Sequence, residues 1–412
     1  MQQNKFFPLL LSVLTGGLLS LCWYPFFTFL AFVAFIPLFL LVHHISLDTK
    51  IVKKGWAVYL YTFMAFSLWN IGVYWWLWYA SSWTTLAAWL ANAALQSLPV
   101  LLYYKVKRIS HDRFGLFFFI ISFISFEYLH LHWQFSWVWL NIGNIFANTP
   151  SWVQWYEYTG AFGGALWILG VNSLIYQTIF KRKYILLTFL VLFVPLLLSF
   201  YRYYTYQPVG DSVEVIAIQP NIDCYTEKFT YNASTGGDNS NTTYIPYEKQ
   251  VERLLSLSAQ SVTPQTQFIL FPETALHESK DEARLIQYPD VQAVRSFRQQ
   301  HPQVSILSGM DSYKLYPDKA TSSARYDDGF GYYDVFNSAF FLSNKDSNQV
   351  EIYDKSQLVI GAETVPYPFI FNLFLLNFGG VNGGLGRQDE RVAFCNNQKI
   401  CAAPVICYES VY

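Results

Sequence analysis

Two patterns of apolar and polar positions divide this chain. Up to about Tyr206 the apolar residues run in long blocks with brief polar breaks, each block near the ~20 residues that a bilayer core needs. The blocks are 6–22, 26–44, 56–80, 83–104, 114–131, 158–180 and 184–201, which predicts seven membrane-crossing helices. From Ser212 onward the apolar runs shorten and alternate with amphipathic stretches. Residues 213–219, 268–271, 304–308, 337–343 and 351–353 read as strands, and 247–260 and 290–300 have helical spacing. Strands with helices between them predict a layered α/β domain. The expected architecture is therefore a membrane α-helical bundle over 1–205 followed by an α/β domain over 212–412.

Composition agrees with the split. Of 412 residues, 53% are hydrophobic and only 13% charged, too apolar for an ordinary soluble protein. A net charge of −1 gives no reason to expect a nucleic-acid partner. The placement of the charges says more than their sum. Lys50, Lys53 and Lys54 follow the second block, Lys105, Lys107, Arg108 and Arg113 follow the fourth, and Lys181, Arg182 and Lys183 follow the sixth. The alternate connections (23–25, 81–82 and 132–157) carry neither Lys nor Arg. The positive-inside rule then puts the N-terminus in the cytoplasm, and seven crossings deliver everything after Tyr201 to the opposite side, the periplasm of a Gram-negative cell. The first block has one flanking Lys5 and no clear small-residue cleavage site, so it reads as a retained span, not a cleaved leader. Gly16 and Gly17 within it suit close helix packing.

Some residues break the pattern. Trp clusters in 69–78 and 133–139 fit an aromatic belt or a rim for lipid headgroups. Glu127, inside the fifth block, is costly unless it faces a polar interior, as a structural hydrogen-bonding group or as part of a substrate path. Residues 366–380 are too short to span a bilayer and too apolar for a wet loop, which leaves a core helix or an arm dipping into the outer leaflet. The glycine-rich run 379–386 reads as a hinge, since it lacks the Lys-Ser/Thr ending of a phosphate loop. Residues 231–243 read as a loop. No cysteine spacing suggests zinc, and the seven His are scattered, so no metal or other cofactor is expected. Cys395 and Cys401 flank a turn in a plausible hairpin, and a disulfide between them is open in an oxidising compartment.

Chemistry gathers at the ends of apolar runs. Cys407 follows the run 402–406, read as a buried strand, and a thiol on a sharp turn at a strand tip suits a nucleophile. A lone cysteine is more often a buried structural residue. Glu273 follows the strand 268–271 and Lys355 the strand 351–353; alone, they read as a helix-start carboxylate and a solvated surface lysine. Together the three supply a base, a cation and a thiol. A carboxylate takes the thiol proton, and an ammonium lowers the thiol pKa and faces the oxyanion formed on attack.

The order FPE (Glu273), YDK (Lys355) followed by Glu363, then ICYE (Cys407) resembles the Glu-Lys-Cys signature of the nitrilase, or carbon-nitrogen hydrolase, superfamily. With the membrane segments, the chain is similar more narrowly to the apolipoprotein N-acyltransferase family of the bacterial inner membrane. Phe126 and Glu127, Trp137 and Trp139, and Gly160 and Gly163 share in the likeness. The resemblance implies a nitrilase-like αββα sandwich opening at the strand 216–221. It also implies an enzyme in which Glu273 is the general base, Cys407 the nucleophile and Lys355 the oxyanion stabiliser. Glu363 and Glu409 match supporting carboxylates, Tyr408 matches the aromatic after the cysteine, and Phe229 loosely matches an aromatic lid. The implied substrates are a phospholipid acyl donor and a diacylglyceryl apolipoprotein acceptor, joined through a Cys407 thioester in a ping-pong cycle. A membrane-tethered amidase or nitrilase using water is the alternative, and a non-catalytic envelope scaffold a third. Because the family pattern continues past the position of Tyr412, the resemblance also implies that the sandwich is incomplete in this chain and inactive alone.

Overall fold

A computed structural model of the chain describes residues 6–80, 82–230, 243–344, 349–367 and 384–412. The expectations for 231–242 and for 368–383, which include most of the apolar segment and the first half of the glycine-rich run, lie outside the described residues. The chain forms two compact units, Met1–Pro208 and Val209–Tyr412.

The first unit is helical: α1 (Phe7–Leu21), α2 (Ile36–Leu47), α3 (Lys54–Tyr74), the short α4 (Leu77–Ala80), α5 (Ser82–Ile109), α6 (Asp112–His132), α7 (Tyr156–Phe180) and α8 (Ile185–Thr205). A 3₁₀ segment, Pro25–Phe32, leads towards α2, and two more, Ile142–Asn148 and Pro150–Trp152, join α6 to α7. Among the described residues, six helical stretches are long and apolar enough to cross a membrane; α1 is also apolar but only 15 residues long. Prolines near the starts of α1 and α2 fit the first turn, where a backbone N–H has no intrahelical acceptor to lose. Of the two glycines expected to allow close packing, Gly16 does so: a β-carbon there would sit 2.5 Å from the Ala65 carbonyl oxygen of α3. Gly17 faces open space. Gly160, at a kink near the start of α7, has φ +59°, a backbone conformation that other residues enter only at a cost. The core is aromatic and aliphatic, with Phe35, Phe39, Phe119 and Phe123 packed mostly edge to face.

The second unit is built on a mixed seven-stranded sheet. Its strands are β1 (Glu214–Ala217), β2 (Thr266–Leu270), β3 (Leu276–Asp281), β4 (Ser305–Tyr316), β5 (Arg325–Asp327), β6 (Gly331–Leu342) and β7 (Val350–Asp354). Helices α9 (Tyr247–Ser261) and α10 (Pro289–Gln300) lie between them in sequence. The long antiparallel pair β4–β6 is the spine, in register from Ile306–Leu342 to Tyr316–Tyr332. On the outer edge of β4, β2 pairs in parallel along residues 305–307, and β3 takes its place along 310–313. On the outer edge of β6, β7 pairs along 338–342 and β5 along 331–333. Each spine strand thus changes partner halfway along.

Side chains alternate between the two faces of the sheet. Ile269, Ile306, Phe340 and Leu342 pack with Val251 and Leu254 of α9 and with Val291, Val294 and Phe297 of α10. Phe268, Ala339 and Phe341 turn the other way, onto Phe394 and Ile406. Residues 402–406, read from sequence as a strand, need correcting. Only β9 (Cys401–Ala402) pairs, with β8 (Phe394–Cys395), and the chain then runs on outside any ladder. Pro404 has no N–H to give a neighbouring strand. The run is also not wholly buried, since Ile406 packs inward while Val405 is 55% exposed. The β8–β9 hairpin is closed by a disulfide between Cys395 and Cys401.

Candidate active site

The places where the spine strands change partner leave gaps, and the charged residues gather there. Glu273 lies in the break between β2 and β3, in a turn pressed against β4. Gly309 makes that contact feasible, because a β-carbon at 309 would come within 2.5 Å of the Pro272 carbonyl oxygen and 2.8 Å of the Glu273 α-carbon. The next residue, Thr274, has φ +47°, so the turn is strained in a way that side-chain-bearing residues rarely tolerate. Lys355 comes directly after β7, and its N–H donates to the Asn337 carbonyl oxygen on β6 at 2.9 Å. Glu363 is fixed by a turn on residue 359: its N–H donates to the Val359 carbonyl oxygen, and its Oε2 accepts the Val359 N–H, both at 2.8 Å.

These side chains meet. The Lys355 ammonium is 1% exposed and donates to Glu363 Oε1 at 2.9 Å, with Glu273 Oε1 at 3.5 Å. Asn337, which sequence reasoning passed over, joins the two carboxylates, its Nδ2 donating to Glu273 at 2.7 Å and to Glu363 at 2.9 Å. Two acceptors on one side fix which end of the amide is nitrogen. A signal for it was present: an Asn in the middle of VFNSAFFL, an otherwise apolar central strand, needs a polar partner.

Cys407 opens the 3₁₀ turn Cys407–Val411, with φ +49° and an exposed sulfur. The residues behind it are buried. Glu409, 2% exposed, accepts from the Ile406 N–H at 2.9 Å, the Ser356 N–H at 2.8 Å, the Ser356 hydroxyl at 2.7 Å and the Tyr353 hydroxyl at 2.5 Å. Burial opposes its ionisation, but these donors outweigh burial and hold its carboxyl below the usual value. The same carboxylate therefore ties the cysteine turn to the segment that begins at Lys355. Tyr408 is buried beside Tyr412.

Glu273, Lys355 and Glu363 are close enough for their charges to act on the thiol. Desolvation raises the Cys407 pKa most, the Glu273 and Glu363 carboxylates raise it further, and Lys355 lowers it, with a net upward shift. The raised pKa keeps the resting sulfur protonated at neutral pH.

A further group borders Glu273. The Lys228 ammonium bonds the Thr274 hydroxyl and reaches the Glu273 carbonyl oxygen at 3.5 Å. It lies over the Phe229 ring, which packs edge-on against His277 at 4.8 Å. Asp311, the register partner of Asn337 on β4, is pushed up to about 7 by burial, against the pull of Lys228 and Lys280. Among the described residues no group of His, Cys, Asp and Glu is arranged to hold a metal ion.

An exposed cysteine, a buried ammonium and paired carboxylates thus occur together on a mixed sheet that follows, in sequence, a unit of membrane-length helices. Residues 15–174 match the family model described as the apolipoprotein N-acyltransferase N-terminal domain. Over 405 residues the chain is 25% identical to the apolipoprotein N-acyltransferase of Chlorobaculum tepidum, an alignment covering 93% of this chain and 70% of that protein. Both matches agree with the resemblance to that family and support an enzyme of the N-acyltransferase kind, the first of them within the helical unit alone.

Proposed function

We propose that this protein moves an acyl chain from a phospholipid to the free α-amine of a diacylglyceryl-cysteine lipoprotein, with Cys407 as the carrier. The observation that carries the reading is the convergence of Glu273, Lys355 and Glu363 on the Cys407 thiol. As the sulfur attacks the ester carbonyl carbon, its proton passes to Glu273. The oxyanion that forms faces the Lys355 ammonium and the backbone N–H after the cysteine. Collapse breaks the carbonyl carbon–glycerol oxygen bond, the departing oxygen takes the proton from Glu273, and a lysophospholipid leaves a thioester behind. The amine then attacks the thioester. The carbon–sulfur bond breaks, an amide forms, and the amine proton returns to the sulfur through Glu273. Glu363 and Asn337 hold the ammonium and the base in place, Glu409 anchors the cysteine turn, and Phe229 stands at the rim.

The mixed sheet with α9 and α10 on one face corresponds in this reading to half of a nitrilase-like αββα sandwich. Counting α1 as a span, the Lys and Arg distribution puts the N-terminus in the cytoplasm and the catalytic unit on the periplasmic side of a bacterial inner membrane.

Mass spectrometry of Cys407 after incubation with a phospholipid tests the chemistry. A thioester-linked acyl mass, lost on adding an amine-bearing lipopeptide, is the expected result. Release of free carboxylic acid with no transfer to the amine would replace this reading with a membrane-tethered amidase. Orientation is tested with a membrane-impermeant thiol reagent on spheroplasts carrying Cys224→Ser, since Cys224 is also exposed. Labelling of Cys407 only after permeabilisation would reverse the topology.

A further inference from the structure

The turn that carries Glu273 is held at two places. Its carboxylate accepts from Asn337 Nδ2 at 2.7 Å and lies 3.5 Å from the Lys355 ammonium. Its backbone is met by another part of the chain, where the Lys228 ammonium donates to the Thr274 hydroxyl and reaches the Glu273 carbonyl oxygen at 3.5 Å. The acyl-transfer reading gives Lys228 no task.

The turn needs such a hold. Thr274 has φ +47°, a conformation that a β-branched residue keeps only where its surroundings impose it. The turn's own bond, from the Ala275 N–H to the Pro272 carbonyl oxygen, is long at 3.3 Å. Lys228 is itself fixed at its other end. Its N–H donates to the Asp223 carbonyl oxygen at 2.9 Å, and its carbonyl oxygen accepts from Gln250 Nε2 at 2.9 Å. Gln250 belongs to α9 and is 2% exposed. The Lys228 ammonium lies over the Phe229 ring at 5.4 Å. Desolvation lowers its pKa, while Asp311, Glu273 and Cys224 favour its charged form. A cation withdrawn from water in this way is kept where acceptors and opposite charge surround it.

We propose that Lys228 is a positioning residue for Glu273: it ties the 273–274 turn to α9, so that the carboxylate stays on Asn337 and Lys355 and beside the Cys407 thiol. The proposal rests on the reading of Glu273 as the base, and Lys228 acts through Glu273.

The charges on Cys407 make the idea testable by sign. They come from Glu273, Lys355 and Glu363, and Glu273 raises the thiol pKa. Releasing the Glu273 turn therefore lowers that pKa, whereas losing a cation that acted on the sulfur directly would raise it.

The test is the pH dependence of iodoacetamide alkylation on the full chain in detergent. It is read by mass spectrometry of the Cys407 peptide, so that the exposed Cys224 is counted apart. Lys228→Met keeps the stem and removes the ammonium; it should move the midpoint down, as Glu273→Gln does, and Lys228→Arg should restore most of the parent value. Added to Glu273→Gln, Lys228→Met should move it no further. If Lys228→Met fails to fold, Thr274→Val, which keeps the branched shape and removes the acceptor, is read in its place with the same expected sign. Acyl transfer by Lys228→Met should fall about 10- to 100-fold. An upward shift, no shift, or a further shift in the Glu273→Gln background would overturn the proposal. If Glu273→Gln itself leaves the midpoint unmoved, the placement of the base is wrong and the proposal falls with it. A parent chain that transfers no acyl group rejects the acyl-transfer reading alone, with alkylation still deciding the role of Lys228.

Discussion

The two units bury polar side chains in opposite ways. In the helical unit, His130, Asn92, Asn70 and Gln96 form a relay of side-chain hydrogen bonds that contains no ion pair. In the sheet unit the cluster is ionic and unbalanced: one buried ammonium, Lys355, faces two carboxylates, the exposed Glu273 and the part-buried Glu363. The neutral relay satisfies backbone-like groups at little electrostatic cost and holds helices in register. Desolvation first, and the two carboxylates after it, raise the Cys407 pKa against the pull of Lys355, which keeps the proton on sulfur.

The comparison is broken most severely by removing the reacting groups. Cys407→Ala should abolish thioester formation, read by mass spectrometry, whereas Cys224→Ser should leave it intact. Lys355→Met should lower acyl transfer roughly 10²–10³-fold, the scale of a lost oxyanion donor, and should also lower Tm by leaving Glu273 and Glu363 facing each other. Near-normal transfer by Lys355→Met would remove the ammonium from the mechanism.

A finer test is the pH dependence of Cys407 alkylation by iodoacetamide. Glu273 raises the thiol pKa and Lys355 lowers it, so Glu273→Gln should shift the alkylation midpoint down and Lys355→Met should shift it up. Shifts of the same sign would mean that the charges do not act on this sulfur directly.

Glu409 gives a stability effect of intermediate size. Because its folded-state pKa is depressed, its contribution is present above the ordinary carboxylate pKa and is lost as pH falls through the folded value. Glu409→Gln should destabilise the sheet unit by about 1.5–3 kcal/mol at neutral pH, with the difference from the parent narrowing in acid. A gap that stays constant from pH 7 down to 3 would contradict that. The smallest effect belongs to the neutral relay: Asn92→Ala should cost only about 0.6–2 kcal/mol in thermal unfolding, with alkylation of Cys407 unchanged.

The sequence was most legible where a side chain is constrained by its own neighbours. Long apolar blocks marked α2 to α8 because a bilayer-length helix satisfies its own backbone. Lys355 and Glu273 were visible because each directly follows an apolar strand. The strands β3 and β5 were missed: LHESKD and RYD have no clear alternation and pair only because β4 and β6 have edges to fill. The same holds for residues 402–406, which have strand-like hydrophobicity but a proline where a ladder would need a donor. At the site, the three motifs drew attention to Glu273, Lys355 and Cys407, whereas Asn337 and the donors around Glu409 came into view only in three dimensions. Their roles depend on partners brought together from 26 to 64 residues away (Glu363 and Glu273 for Asn337) and from 53 to 56 (Ser356 and Tyr353 for Glu409).

The Asn337 bridge has a consequence for how long such a molecule keeps working. Asparagine followed by serine can hydrolyse slowly to aspartate, and at this position the loss of one NH₂ would turn a donor to two carboxylates into a third carboxylate between them. Chemical ageing at a single amide, with no cleavage and no unfolding, would push the base and its partner apart. A population of the protein would then accumulate members about one dalton heavier than the rest, with an altered charge cluster. The central β-strand that holds Asn337 restrains the backbone from the cyclic intermediate this reaction needs, so the strand that builds the site also sets its shelf life.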